Sequence, residues 1–330
     1  MKISLTGIKP TGILHIGNYF GAIKPALELT KDYKACYFIA DYHALNIMKD
    51  PAELKKNIYE IAAGWLAAGL DPDKVLFYRQ SSVPETFELS TFLMAFTSKG
   101  LMNRAHAYKA AVQVNTEKND DSDAGINMGL YTYPVLMAAD ILLFNADVVP
   151  VGQDQTQHIE MAQDIAQALN FNYKKDLLKI PQALVQQNTA VIPGLDGRKM
   201  SKSYGNTIPL FTEEKQLRKL IMKVVTNSQG VEEPKDPDTS QLFALYKLFA
   251  SNCEQEALSA RYRAGGMGWG EAKEELFRVV NRELSPIRDR FNALISEPEK
   301  LDDILSCGAE AARKIATDTI QRLRKAAGFN

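Results

Sequence analysis

Apolar positions in the first half of the chain come in two alternating textures. Short, nearly continuous runs at Ile3–Ile8, Ala35–Ala40 (Ala-Cys-Tyr-Phe-Ile-Ala) and Val75–Tyr78 read as buried strands. Between them lie segments with helical spacing. One runs from about Asn18 to Lys31, and another is Pro51–Gly69, where Leu54, Ile58, Ile61, Ala62 and Trp65 recur on one face. Leu142–Val151 reads as a further strand region, Asp154–Leu169 as a helix and Leu184–Ile192 as a last strand. Asn115–Ala124, rich in Asn and Asp, reads as a surface loop. Strands separated by helix-length segments imply right-handed crossovers and a parallel sheet, whose ligands bind beyond the carboxyl ends of the strands. The polar clusters after the first two strands, Lys9–Gly12 and Asp41–His43, therefore fall at one edge. From Thr212 onward strand signals vanish, and helical segments run to Phe329, broken at Pro234–Pro237 and at Gly265-Gly266-Met267-Gly268. The pattern predicts an α/β domain to about residue 200 followed by a mainly helical part, with no internal repeats.

Composition narrows the class. At 330 residues the chain is too long for one ordinary core and suits two domains. Hydrophobic residues at 45% and charged residues at 24% are globular values, and no run approaches a membrane span. The opening Met1–Gly7 reads as a first core strand rather than a signal segment, so the expected compartment is the cytoplasm. Cys36, Cys253 and Cys307 are too scattered for a disulfide framework or a Cys-x-x-Cys metal site. A net charge near −1 argues against a general basic coat, although a local patch would suffice for RNA.

Two constellations carry chemistry. Pro10-Thr11-Gly12-Ile13-Leu14-His15-Ile16-Gly17-Asn18 joins the first strand to the first helix, where backbone N–H groups and the helix dipole attract phosphate. His15 and Asn18 can donate to phosphate oxygens, and Gly17 admits a close ligand. On its own this turn could serve geometry alone, and it is neither a dinucleotide fingerprint nor a Walker loop. The second is Lys199-Met200-Ser201-Lys202-Ser203, bounded by Gly194, Gly197 and Gly205: two lysines and two hydroxyls on a glycine-hinged loop that can close over a triphosphate. Such a charge run is usually a solvated face, but a given pentapeptide arises by chance here with probability on the order of 10⁻⁴.

Taken together, the constellations resemble a known family. His15-Ile16-Gly17-Asn18 is similar to the HIGH element of class I aminoacyl-tRNA synthetases, and Lys199–Ser203 matches their KMSKS element letter for letter. Their order and separation of about 180 residues resemble the compact tryptophanyl and tyrosyl members. Asp41-Tyr42-His43-Ala44 fits as well. Tyr133-Pro134-Val135-Leu136-Met137-Ala138-Ala139-Asp140 and Val149-Pro150-Val151-Gly152-Gln153-Asp154-Gln155-Thr156-Gln157-His158-Ile159-Glu160 resemble the tryptophanyl family specifically.

The resemblance implies a class I Rossmann-like catalytic domain over residues 1–204, a helical anticodon-binding domain over 205–293, and a C-terminal helix, 294–330, packing back on the body. It implies L-tryptophan, ATP with Mg²⁺ and tRNA(Trp) as ligands, and a homodimer. The iron–sulfur cysteine set of some members is absent. Activation has the tryptophan carboxylate attack the α-phosphate, so no protein base is needed and positioning must supply the acceleration. Lys199 and Lys202 would neutralise the leaving pyrophosphate. Lys9, Pro10, Thr11, His15, Gly17 and Asn18 would face the phosphates, with Ser201 beside them. Gly152, Gln153 and Asp154 would meet the adenosine, with Val191 and Met200 near the adenine. For tryptophan, whose indole N–H only donates, Asp140 is the implied acceptor and Met137 lies at i−3 on its face. Leu5, Val149 and Val151 would face the ring, and His43, Tyr133 and Gln155 the ammonium and carboxylate. Without the family, Met137 and Val149 would read as core packing; Asp140 is harder to dismiss, because a carboxylate within the apolar run Leu136–Phe144 usually caps a helix or binds something.

Some positions depart from the family. Lys9 stands where glutamine is usual, and Ala111 where a second lysine after Lys109 is expected. Lys9 could supply the charge that Ala111 lacks. His158 reads as structural, and His106 has no assigned role. Arg278, Arg282, Arg313, Lys314, Arg322, Arg324 and Lys325 could touch RNA, though each alone reads as a solvated helix face. The nearest rival is a tyrosyl enzyme, but that family places a tyrosine where this chain has Leu5 and lacks the Met-x-x-Asp arrangement. A silent paralogue that only binds tRNA or tryptophan is the other rival; two intact phosphate elements argue against it.

Overall fold

The computed structural model describes residues 1–185 and 192–329, apart from the side chain of Asp154. Five strands, β1 (Ile3–Ile8), β2 (Lys34–Ile39), β3 (Leu76–Arg79), β4 (Val148–Val151) and β5 (Gln182–Val185), form one sheet in the order β3-β2-β1-β4-β5. Every neighbouring pair is parallel. This is the doubly wound arrangement, and the strand order reverses between β1 and β4. Their ladder is the single pairing of Ser4 with Val148, so the two strands part toward their carboxyl ends and leave a crevice.

Helices cover both faces. In β2, Tyr37 and Ile39 enter one core with Phe77 of β3 and with Ile58, Ile61 and Trp65 of the helix Pro51–Ala67. Cys36 and Phe38 point the other way, as strand alternation requires. They join Leu5, Tyr78 and Val149 in a second core with the helices Glu85–Met94, Met128–Leu143 and Thr156–Tyr173. Helix starts follow local chemistry. Asp50 accepts from the Ala52 and Glu53 amides at 2.8 and 3.2 Å, with Pro51 in the first turn, and Asn127 accepts from the Leu130 amide at 2.9 Å.

Beyond residue 212 the described residues form helices, among them Glu214–Met222, Asn252–Ala264 and Trp269–Ile295, and their apolar faces (Leu217, Ile221, Leu276, Leu284) extend the first core. The last helix, Pro298–Ala327, lies on β3 so closely that a Cβ on Gly308 would stand 1.9 Å from the Phe77 carbonyl oxygen. Arg313–Glu85 at 3.0 Å and Arg324–Glu88 at 2.6 Å pin it to the helix Glu85–Met94. Of the basic residues with candidate RNA roles, Arg313 and Arg324 are thus engaged within the chain. So are Arg278 with Glu275 at 3.2 Å, Arg282 with Glu254, and Arg322 with the Leu177 carbonyl at 3.2 Å.

The structure revises several boundaries. Leu142 and Leu143 end the helix Met128–Leu143 rather than opening a strand, and Asn145, at φ 49°, turns the chain into β4. This helix is buried on most sides, so its apolar run carried no period by which to separate helix from strand. Asn115–Glu117 belongs to the helix His106–Glu117 instead of a loop. Of Leu184–Ile192, residues 184 and 185 are strand and Ile192 is irregular, while Val191 lies outside the described residues. Among the described residues no helix is long and apolar enough to cross a membrane.

Candidate active site

The crevice between β1 and β4 opens into a cavity of about 190 Å³. Its walls are apolar: Leu5, Gly7, Phe38, Ala40, Met137, Ile141 and Val149. Lys9, His43, Tyr133, Asp140 and Gln155 supply the polar groups. Seven of the eight side chains expected around tryptophan thus meet at one cavity. Val151 does not line it; it sits half-buried two residues beyond Val149 on the same strand face.

Asp140 is 3% exposed. Its carboxylate accepts from His43 Nε2 at 3.0 Å and from Gln80 Nε2 at 2.8 and 2.9 Å. Burial pushes the carboxyl above the ordinary aspartate range, and the His43 and Gln80 bonds oppose that rise. Asp140 caps no helix terminus; it lies inside the helix Met128–Leu143. His158 is structural in a specific way. Its Nδ1 donates to Gln155 Oε1 at 2.8 Å, which leaves Nε2 of the neutral ring to take the Tyr133 hydroxyl. Two of the expected tryptophan contacts are therefore set by one imidazole.

The two segments expected to meet phosphate converge beside this cavity. The Ile16 amide donates to the Ile208 carbonyl at 3.0 Å, the Leu210 amide to the Leu14 carbonyl at 2.9 Å, and His15 bridges antiparallel to Pro209. The segment after the lysine loop is thereby stitched to the turn containing His15. One consequence corrects the expectation of free amides: the Ile16 N–H is already taken. Asn18 Oδ1 accepts the His15 amide at 3.1 Å. His15 is 8% exposed, and burial, aided by the nearby Lys202 charge, lowers its imidazole to about 4. The ring is therefore neutral at physiological pH and offers one N–H rather than a cation.

Lys202 donates to the carbonyl of Thr11, bringing its ammonium into the gap between the two elements, and partial burial lowers its pKa. Lys9, at the cavity rim, is lowered for the same reason. Lys199 is exposed, whereas Met200 is 5% exposed and packs in the first core. Ser201 Oγ bonds Ser203 Oγ at 2.8 Å. Gly152 and Gln153 are exposed just beyond β4, where Gln153–Gln155 forms a short 3₁₀ turn. Gly205, at φ 63°, takes the left-handed conformation that lets the loop turn back.

Sequence reasoning missed two organisers. Gln80, immediately after β3, carries Asp140. Asn206, 3% exposed, ties the lysine loop together: its Oδ1 accepts the Ser201 amide at 2.8 Å, and its Nδ2 donates to Asp196 at 2.6 Å and the Lys199 carbonyl at 3.1 Å. The signal available for Asn206 was its place one residue after Gly205. Gln80 offered none.

A doubly wound sheet with a ligand cavity at its switch point and two converged phosphate-type elements defines a nucleotide-using α/β enzyme. The family model for class I tRNA synthetases (W and Y) matches residues 2–285, and the chain belongs to that family. A tryptophan--tRNA ligase of Pseudomonas aeruginosa is 53% identical over 98% of this chain and 73% of its own length. One of Xanthomonas axonopodis pv. citri is 50% identical over 98% and 76%. The crystal structure of a Campylobacter jejuni tryptophanyl-tRNA synthetase, complexed with ADP and tryptophan, superposes with a TM-score of 0.91 at 43% identity, covering 99% of each chain.

Proposed function

We infer that this chain is a tryptophan--tRNA ligase. It activates L-tryptophan with ATP, releasing pyrophosphate, and then transfers the aminoacyl group to tRNA(Trp) with loss of AMP. The observation that carries the reading is an apolar slot with one buried carboxylate acceptor at its depth, opening beside the His15–Asn18 and Lys199–Ser203 elements.

That geometry, together with the motif residues shared with the family, supports the following side-chain roles. The indole enters among Leu5, Phe38, Met137 and Val149 and donates its N–H to Asp140. Tyr133 and Gln155 orient the amino-acid end, whereas His43, bound to Asp140 at 3.0 Å, stands with the indole acceptor rather than at the end expected for it. Lys202, with Lys199, meets the charge that develops on the leaving pyrophosphate, and neutral His15 and Asn18 donate to phosphate oxygens. Lys9 stands between the cavity and the phosphate turn, where its charge reaches either. Gly152, Gln153 and Asp154 take the adenosine side. Mg²⁺ accompanying the triphosphate would help offset its charge, leaving Lys199 and Lys202 as the protein's own counter-charges. Among the described residues no group of three or more His, Cys, Asp or Glu side chains could hold a metal ion.

The helices of 205–293 are proposed to read the anticodon, joined to catalytic residues 1–204 and the terminal segment 294–330. A homodimer is supported by an uncovered apolar surface. Leu45, Ile47, Phe87 and Met128 are exposed; Tyr42 contacts Phe87, and Asn46 bonds the Gly129 carbonyl at 3.2 Å. The neighbouring helix His106–Glu117 buries none of its residues. Sedimentation at micromolar concentration should find twice the 36.7 kDa chain mass, reduced by Ile47→Asp; a monomer throughout would exclude the dimer.

The test of function is amino-acid-dependent ATP–pyrophosphate exchange. Tryptophan should support it, with tyrosine and phenylalanine far weaker: phenylalanine has no donor for Asp140, and tyrosine would have to reach it with a hydroxyl from a smaller ring that leaves part of the slot unfilled. Tyrosine outperforming tryptophan would overturn the roles of Asp140 and Leu5 together, and no exchange with any amino acid would leave the silent paralogue.

A further inference from the structure

Gln80 does not line the cavity, yet it makes the shortest contacts to the one carboxylate there. It follows β3 directly, is 1% exposed, and sends Nε2 to both Asp140 oxygens at 2.8 and 2.9 Å. Its Oε1 accepts the Tyr42 amide at 3.2 Å. This orientation has no alternative: a backbone N–H only donates and an ionised carboxylate only accepts, so a flipped amide would mismatch both partners. The Tyr42 amide is held in turn, because Asp41 Oδ1 accepts it at 3.1 Å and the Ser81 amide at 3.0 Å, while the Ser81 hydroxyl bonds Asp41 Oδ2. The ends of β2 and β3 thus form a frame around Gln80.

We propose that Gln80 is a positioning residue for tryptophan recognition, holding Asp140 as an oriented carboxylate whose remaining acceptor site faces the indole N–H. This rests on the reading of Asp140 given above. A carboxylate has about four lone-pair sites. His43 and Gln80 use both sites on Oδ2 and one on Oδ1, which leaves one on Oδ1 for a donor in the cavity that Asp140 lines. Without such donors a buried carboxyl takes up a proton, and an O–H turned into the slot would oppose an N–H donor. The charged and titratable groups around Asp140 are His43 and Asp41 from the helix Asp41–Ala44 and Tyr78 from β3. Asp41 disfavours the ionised form and His43 supports it.

The test uses the 330-residue chain in pyrophosphate exchange, with tryptophan and its N1-methyl analogue. Gln80→Met should raise the tryptophan KM by about tenfold or more, the lower end for a bond to a charged group, with kcat and the ATP KM within about twofold. The N-methyl analogue, which has no proton to donate, should change far less. Gln80→Glu keeps the acceptor for the Tyr42 amide and so preserves the frame. Near pH 6 the introduced carboxyl and that of Asp140 share a proton, and a donor to Asp140 survives. Near pH 9 both ionise and repel. The tryptophan KM of this variant should therefore climb with pH relative to wild type by about tenfold, a dependence that a purely structural role would not produce.

A flat profile for Gln80→Glu, or equal losses for tryptophan and the methyl analogue in Gln80→Met, would overturn the proposal. Asp140→Ala in the same assay separates the two failures. If it discriminates tryptophan from the analogue while the Gln80 variants do not, Asp140 keeps its role and Gln80 loses the one proposed. If Asp140→Ala does not discriminate, the reading of Asp140 itself has failed.

Discussion

Lys202→Ala is expected to slow tryptophan activation by about 10²–10³, the usual cost of removing one preorganised charge from a developing anion. The reasoning starts from where the ammonium lies. Lys202 sits on a loop that Asn206 braces from within, and it reaches across to the carbonyl of Thr11, in the turn that also holds His15. Partial burial lowers its pKa, so the charge is held where water screens it less than on an open surface. Pyrophosphate gains negative charge as it departs, so an ammonium in this gap stabilises the transition state more than bound ATP. The loss should appear in kcat and in kcat/KM alike, with tryptophan affinity changed by less than about twofold. Pre-steady-state measurement of adenylate formation gives the rate directly. A variant that loses tryptophan affinity yet activates at the wild-type rate when saturated would place Lys202 in a different role. A secondary sign is available in His15: its depressed pKa owes part to the Lys202 charge, so the imidazole should titrate higher in the variant, measured by NMR.

Asp140→Ala should weaken tryptophan by roughly 1.5–3 kcal/mol, with Asp140→Asn in between. The acceptor is lost outright in the first variant. In the second an oxygen remains without charge, and the new amide can present donors to His43 and Gln80, which are donors already. The N1-methyl analogue should suffer much less from either change, since it meets an unpaired carboxylate even in the wild type. ATP affinity should hold, because the phosphates are proposed to rest on the His15–Asn18 and Lys199–Ser203 elements. Equal losses for tryptophan and its analogue, together with a lower melting temperature, would show a structural carboxylate instead.

Much of the site could be read along the chain because its chemistry is written in contiguous words. His15–Asn18 and Lys199–Ser203 each carry their reacting groups within five residues or fewer. Asp140 stood out because a carboxylate inside Leu136–Phe144 needs a partner. The strands β1 to β3 were legible from their apolar runs, to within a residue or two at each end. Where the pattern lost its period it failed: the buried end of the helix Met128–Leu143 read as strand, and Asp154 and Gln155, which lie in a 3₁₀ turn, read as the start of a regular helix.

Local pattern was enough for the alternation of strands and helices and for marking His15–Asn18, Lys199–Ser203 and Asp140 as candidates, since each depends on neighbours close in the chain. How these parts meet is a property of the folded molecule. Gln80 reaches Asp140 across 60 positions, His43 across 97 and Lys202 reaches Thr11 across 191, and nothing local to a glutamine or a lysine marks such a partner. The parting of β1 from β4 after Ser4 and Val148 makes the cavity, and it exists only once strands distant in sequence lie side by side. Hydrogen bonds and burial act over a few ångströms of space, whereas periodicity acts along the chain, so contacts closed by the fold leave no trace in the pattern that produces its elements.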